Sequence, residues 1–225
     1  MSVSITDFVL PTMASPKNTT GKTFAVAKDA PLVLCGSFIH ERMMKFPFGI
    51  QNAFGDESKQ ELCVELPWES AELANMAKLD DAIVDHVFNQ RLEFFKDGDL
   101  TKEQIAKRYN YIAKNKAPQQ TVKKMKFDPF AFAPKLKGKI RNTEVFKLKE
   151  YVKATKTKKA EIVKDPAEYK DVVKGSYGVV ALDFKGIWVS NGNFGTTWEV
   201  RQVIFSSPSK NSVPADVFLE GTLSL

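Results

Sequence analysis

A chain of 225 residues with 43% hydrophobic composition can bury a sizeable core as one elaborated domain or two small ones, which excludes a wholly disordered polymer. Its formal net charge of +6 hides a concentrated excess: residues 101–160 hold 18 Lys/Arg against 4 Asp/Glu, whereas the balance is 9 to 15 before them and 6 to 8 after them. A basic strip between two net acidic flanks implies a polyanionic partner, and nucleic acid leads the candidates. Cys35 and Cys63 belong to no CxxC pair, so neither a zinc site nor a disulfide framework is indicated, and both read as reduced, buried thiols.

Lys22 to Val26 and Leu32 to Ile39 read as early strands, the second an apolar run entered through Pro31. Met43 to Gly55 combines Pro47 with Gly49 and Gly55 and suggests an irregular connection, whose Met43, Met44, Phe46 and Phe48 favour core packing over ligand stacking. Glu61 to Leu66 alternates as a further strand and is stopped by Pro67. From Glu69 to Phe95 the period changes: Leu73, Met76, Leu79, Ile83, Val87 and Phe94 recur at helical spacing, with an interruption expected near Asn89. Asp99 or Thr101 can cap a second helix running to about Ile112.

Residues 115–141 break all periodicity. Three prolines resist a regular helix, lysines can neutralise phosphate without demanding a base sequence, and Phe127, Phe130 and Phe132 are candidate stacking surfaces. The competing reading is a solvated loop whose phenylalanines cover the fold. Val145 to Val152 opens a second strand set, a basic turn at Lys156, Lys158 and Lys159 precedes Glu161 to Val163, and Pro166 separates these from Lys174 to Phe205. That last stretch reads as two strands reversed across Ser190 to Gly195. Val180, Leu182, Phe184 and Trp188 share one parity, and Trp198, Val200, Gln202 and Ile204 share one on the returning strand. Apolar residues on both faces fit barrel strands packed inside and partly covered or ligand-facing outside.

No catalytic arrangement emerges. His40 and His86 are the only histidines and belong to no metal or nucleophile motif, while Asp80, Asp81 and Asp85 match the solvated face of a helix as well as a carboxylate cluster. No Walker A, Rossmann or EF-hand pattern is present, although carboxylates from distant segments could still assemble a metal nuclease. The expectation is a non-enzymatic protein with no cofactor and no metal. The N-terminus lacks a signal-peptide pattern and no apolar run nears the ~18 residues needed to span a bilayer, so no membrane partner is expected.

The lysine, proline and aromatic stretch Lys114 to Lys149, followed by GIWVSNGNFGTTWEVRQVIF at Gly186 to Phe205, resembles the single-stranded-DNA-binding proteins shared by podovirus-type phages and large eukaryotic DNA viruses. The loose arrangement covers roughly two-thirds of the chain. The resemblance implies an oligonucleotide-binding (OB) fold without catalytic centre or metal, with Trp188, Phe194 and Trp198 matching the aromatic terminal strands and Lys185 and Arg201 their basic neighbours. Without a signal-peptide pattern, intracellular residence is expected, in the host nucleus or a viral replication compartment. Phage-type members end in an acidic tail with a terminal aromatic, whereas residues 209–225 carry Asp216 and Glu220 and end GTLSL, which puts tail-mediated recruitment of replication proteins in doubt.

The sequence therefore predicts a mixed α/β, mainly β chain: a single OB-like antiparallel β-barrel over residues 1–225, with a helical insertion at about 69–113 and a basic aromatic loop at about 114–141. A two-layer β-sandwich is the alternative. The predicted function is non-sequence-specific binding and protection of single-stranded DNA during viral replication, recombination or repair. Lys123, Lys124, Lys126, Lys135, Lys137, Lys139, Arg141, Lys185 and Arg201 would face phosphate, and Phe130, Trp188 and Trp198 would stack on bases. RNA binding, contacts with replication proteins and homo-oligomer formation stay open. The alternative is a viral structural or scaffold protein whose basic strip meets other proteins or packaged genome.

Overall fold

A computed structural model describes residues 2–19, 22–37, 43–53, 55–67, 70–113, 133–152, 155 and 158–208. In chain order the elements are β1 (Ser2–Ser4), β2 (Lys17–Thr19), β3 (Lys22–Val26), β4 (Leu32–Cys35), β5 (Met44–Phe46), β6 (Ile50–Ala53) and β7 (Asp56–Glu65). The helices α1 (Ala71–Asn89), α2 (Arg91–Phe95) and α3 (Lys102–Arg108) follow, then β8 (Lys135–Val152), β9 (Glu161–Pro166), β10 (Ser176–Ser190) and β11 (Asn193–Ser206).

Five of these strands close a barrel in the order β10–β11–β8–β7–β5 and back to β10. Taken in chain order as strands one to five, they run 1-2-3-5-4-1, the arrangement of an OB barrel, and the chain has an OB-like, mainly β fold. Closure comes from Ser176, Tyr177 and Gly178 of β10 pairing with Phe46, Lys45 and Met44 of β5, a contact that a two-layer sandwich would lack. One barrel pair, β8 with β11, is parallel, so the barrel is not antiparallel throughout. A strand that pairs on both sides has little room at the crowded point of closure: a Cβ on Gly178 would lie 2.2 Å from the Ile204 carbonyl oxygen.

The long β10 organises the remaining strands. Its start meets β5, its middle meets β4, and its end, Gly186 to Val189, pairs with Val26 to Thr23 of β3, while β11 runs along its other edge. The β10–β11 reversal turns on Asn191 (φ 51°) and Gly192 (φ 74°), two consecutive positive φ values that match the right-handed strand twist of a two-residue hairpin.

Two bulges in this ladder alter the facing expected from simple alternation. Pairing passes from Phe184↔Trp198 to Gly186↔Thr197, leaving Lys185 unopposed, and from Ala181↔Gln202 to Leu182↔Val200, leaving Arg201 unopposed. A single extra residue reverses every side chain beyond it. Trp188 thus leaves the parity of Phe184 for the outside of the sheet, and Val203 and Phe205, rather than Gln202 and Ile204, join Val200 in the core.

The helices begin where capping chemistry dictates. Ser70 accepts the Leu73 amide at the start of α1, and Thr101 with Gln104 forms a reciprocal capping box at α3. Met76, Leu79, Ile83, Val84 and Val87 bury one face of α1 in the same core as the barrel. The interruption expected near Asn89 is present at Gln90. The helix capped by Thr101, α3, stops at Arg108, short of the expected Ile112, because its continuation has other partners: Asn110 N–H donates to the Phe194 carbonyl (2.8 Å), and the Ile112 and Ala113 amides donate to Asp80.

Two further expectations change. The region around Pro47 contributes strands on both sides, β5 and β6, with Phe46 fully buried and Phe48 exposed. The basic loop does not reach Arg141: Lys135 to Arg141 belong to β8, because Leu136 and Ile140 alternate into the core while the intervening lysines face outward. Lys123, Lys124, Lys126 and Phe130 lie outside the described residues. Among the described residues no helix is long and apolar enough to cross a membrane.

Candidate nucleic-acid interface

Alternation along β8 places Lys135, Lys137 and Lys139 on the outside of the barrel. Register then decides what they meet. Lys139 lies opposite Glu61 of β7 on one side and Glu199 of β11 on the other, and Glu199 in turn lies opposite Asp183 of β10. The row across four strands therefore reads acid, base, acid, acid. Around it Lys137 bonds Glu61 (3.1 Å), Lys135 and Lys45 approach Glu65 (3.4 and 3.7 Å), and Arg141 bonds Glu199 (3.1 Å). Lys139 has no carboxylate partner within 4.0 Å among the described residues.

The two bulged residues share one acceptor. Arg201 donates to Asp183 Oδ2 through both Nη2 (2.6 Å) and Nε (3.1 Å), and Lys185 Nζ reaches the same oxygen at 3.2 Å and Glu199 at 3.8 Å. Basic residues read as a one-sign strip thus form a mosaic with carboxylates supplied by other strands. The cationic side chains of these pairs reach solvent while their carboxylates are largely covered, so a phosphate can compete for the same cations from outside.

The aromatic candidates separate. Trp198 is 2% exposed, with its ring centroid 5.5 Å from that of Phe8 and 4.9 Å from that of Phe184. It is a core residue and presents no face to a base, a correction to its expected stacking role. Phe194 is likewise fully buried, stacked 4.9 Å from Tyr109. Trp188 is half-buried on the outer face, its indole N–H donating to the Thr196 carbonyl at 3.1 Å. Its ring crosses Gly195, where an added Cβ would come within 2.9 Å of Cζ2.

Register also recruits residues that the sequence did not nominate. Trp188 lies opposite Phe24 of β3, and Phe24 lies opposite Lys17 of β2. Phe24 is half-buried, and Lys17, Lys22 and Val26 on the same outer face are exposed. The alternation in KTFAV was legible, but its pairing with a strand more than 150 residues away was not.

Other polar groups serve structure. Asp80 is not part of a solvated helical face: it is 1% exposed and accepts from Tyr109 Oη (2.7 Å) and the Ile112 and Ala113 amides. Burial pushes its carboxyl above the usual range, against those hydrogen bonds. His86 packs edge-on against Phe94, and burial holds its imidazole below the ordinary value. Burial raises both thiols, which are free. Among the described residues no group of three or more His, Cys, Asp or Glu is placed to hold a metal ion.

No protein-family model matches the chain, and no curated protein matches it. Its class, an OB-like β-barrel protein, rests on the strand order and closure alone.

Proposed function

We propose that this chain binds single-stranded DNA without sequence specificity and protects it during replication, recombination or repair. The observation that carries the reading is the placement of Lys135, Lys137 and Lys139 on the outer face of the third barrel strand, between the second strand and the hairpin of the fourth and fifth. OB barrels hold oligonucleotides on that strand face and on the neighbouring loops. Lysines track the phosphates, an outward aromatic stacks on bases, and no catalytic group is required.

Salt-titrated fluorescence anisotropy with matched single- and double-stranded oligonucleotides tests the reading. Tighter single-strand binding whose affinity falls steeply with salt is the expected result. Equal or stronger duplex binding at matched salt overturns the single-strand preference, and a ribose series decides between DNA and RNA.

The pairing of Lys45, Lys135, Lys137, Arg141, Lys185 and Arg201 with carboxylates favours a second reading, a structural or scaffold protein whose mosaic face meets another protein. Failure to bind any single strand at low salt, together with specific incorporation into a protein lattice, selects it.

A further inference from the structure

The row Lys17, Phe24, Trp188, Gly195 runs straight across β2, β3, β10 and β11 on the outer face of the sheet. Residues directly opposite on antiparallel strands share a face with Cβ atoms roughly 4.5–5.5 Å apart. Two half-buried aromatics are therefore neighbours, with a lysine on one side and a glycine on the other. Gly195 leaves the space into which the Trp188 ring lies, and the indole N–H bond to Thr196 fixes its orientation. Lys17 and Lys22 are exposed and have no carboxylate within 4.0 Å among the described residues, unlike most cations of the β7–β8 face.

We propose that Phe24 and Trp188 form a platform for unpaired nucleobases, with Lys17 and Lys22 holding the adjoining phosphates. The proposal rests on the single-strand-binding reading and adds to it a site on the β3–β10 face, where β2 and β3, outside the five-strand barrel, extend the sheet from barrel strand β10. An indole whose orientation is set in advance, with a second ring beside it, can stack on any base, because every base has a π-face. A duplex keeps its bases stacked on one another, so the ligand is a single strand. A lysine pair without carboxylate partners adds charge that phosphate meets without displacing an internal ion pair.

The test compares the full chain's affinity for oligodeoxythymidylate with that for an abasic oligomer of equal length and charge, by anisotropy at several salt concentrations. The wild type is expected to prefer the base-bearing strand. Phe24→Leu and Trp188→Leu should each cut that preference roughly five- to hundredfold, leaving the salt slope and the melting temperature near wild type. Gly195→Ala, which pushes the indole off its seat, should lose part of the preference without touching either ring. Lys17→Gln with Lys22→Gln should lower the salt slope by about 1–2 and keep the preference. Folded ring variants with undiminished preference overturn the platform. So does a wild type that holds both oligomers equally, an outcome that leaves electrostatic single-strand binding standing; binding to neither defeats the functional reading as well.

Discussion

Trp188 and Trp198 occupy the two strands of one hairpin and face opposite sides of the sheet. Trp198 packs between Phe8 and Phe184 in the core, whereas Trp188 lies outside across Gly195. Lys185 makes the difference: bulged from the ladder between the partners of Trp198 and Thr197, it shifts the rest of β10 by one residue.

The two tryptophans should therefore respond differently to truncation. Trp198→Ala removes a buried aromatic and its two ring contacts, an expected loss of about 3–5 kcal/mol. Trp188→Ala should cost about 1 kcal/mol or less, because its side chain is only half-buried. Urea midpoints at unchanged slope measure both, and equal losses would contradict the opposite facing.

Asp80 ties α1 to the segment after α3 through three donors. Asp80→Ala leaves them without an acceptor in a buried place, at an expected cost of about 2–4 kcal/mol. Because burial raises its folded pKa above the ordinary 3.8, the fold binds this proton more tightly than the unfolded chain does. That contribution is present in full below the ordinary value and is lost as pH rises through the raised one. The gap between wild type and variant should thus narrow from acid towards neutral pH; a gap that widens would mean that the hydrogen bonds outweigh burial.

His86 has the opposite sign. Its Nε2 is buried without a partner among the described residues, and burial lowers its pKa from 6.5. Below that ordinary value the unfolded chain takes up a proton that the folded imidazole resists, so stability present above it is lost as pH falls through the folded value. His86→Phe, which keeps a ring against Phe94, should remove part of the stability decline measured by urea titration between neutral pH and about pH 5. An unchanged decline would assign it to other groups.

Local chemistry was legible in the chain: Thr101 as a helix cap, the break near Asn89 and the Asn191–Gly192 reversal each follow from neighbouring residues, whereas the start of β8 at Lys135 was read as loop. Long-range register was not. Nothing near Lys139 in sequence announces Glu61 and Glu199 on either side of it, and nothing near Trp188 announces Phe24. Bulges were hidden for the same reason, since one unopposed residue leaves the apolar pattern nearly intact while reversing what faces out. The early end of α3 depended on hydrogen bonds to Phe194 and Asp80, residues of other elements.

The charge mosaic makes a prediction that a simple basic patch would not. Glu199 is 9% exposed and sits between Lys139, Arg141 and Lys185, while Glu61 holds Lys137, so both carboxylates compete with phosphate for the cations that the function needs. A lysine already held by a carboxylate neutralises a phosphate less fully and releases fewer of the cations condensed on the nucleic acid, whereas a freed lysine contributes a slope of nearly one. Glu61→Gln and Glu199→Gln should therefore strengthen single-strand binding and steepen its dependence on log salt by up to about one each. Lys139→Gln, which removes a cation without breaking a pair, should weaken binding and flatten the slope by about one. Anisotropy titrations at several salt concentrations, with melting curves to verify folding, measure all three variants. Folded glutamate variants that bind more weakly than wild type would show that these carboxylates support the ligand or its site, and would move the phosphate track off the β7–β8 face.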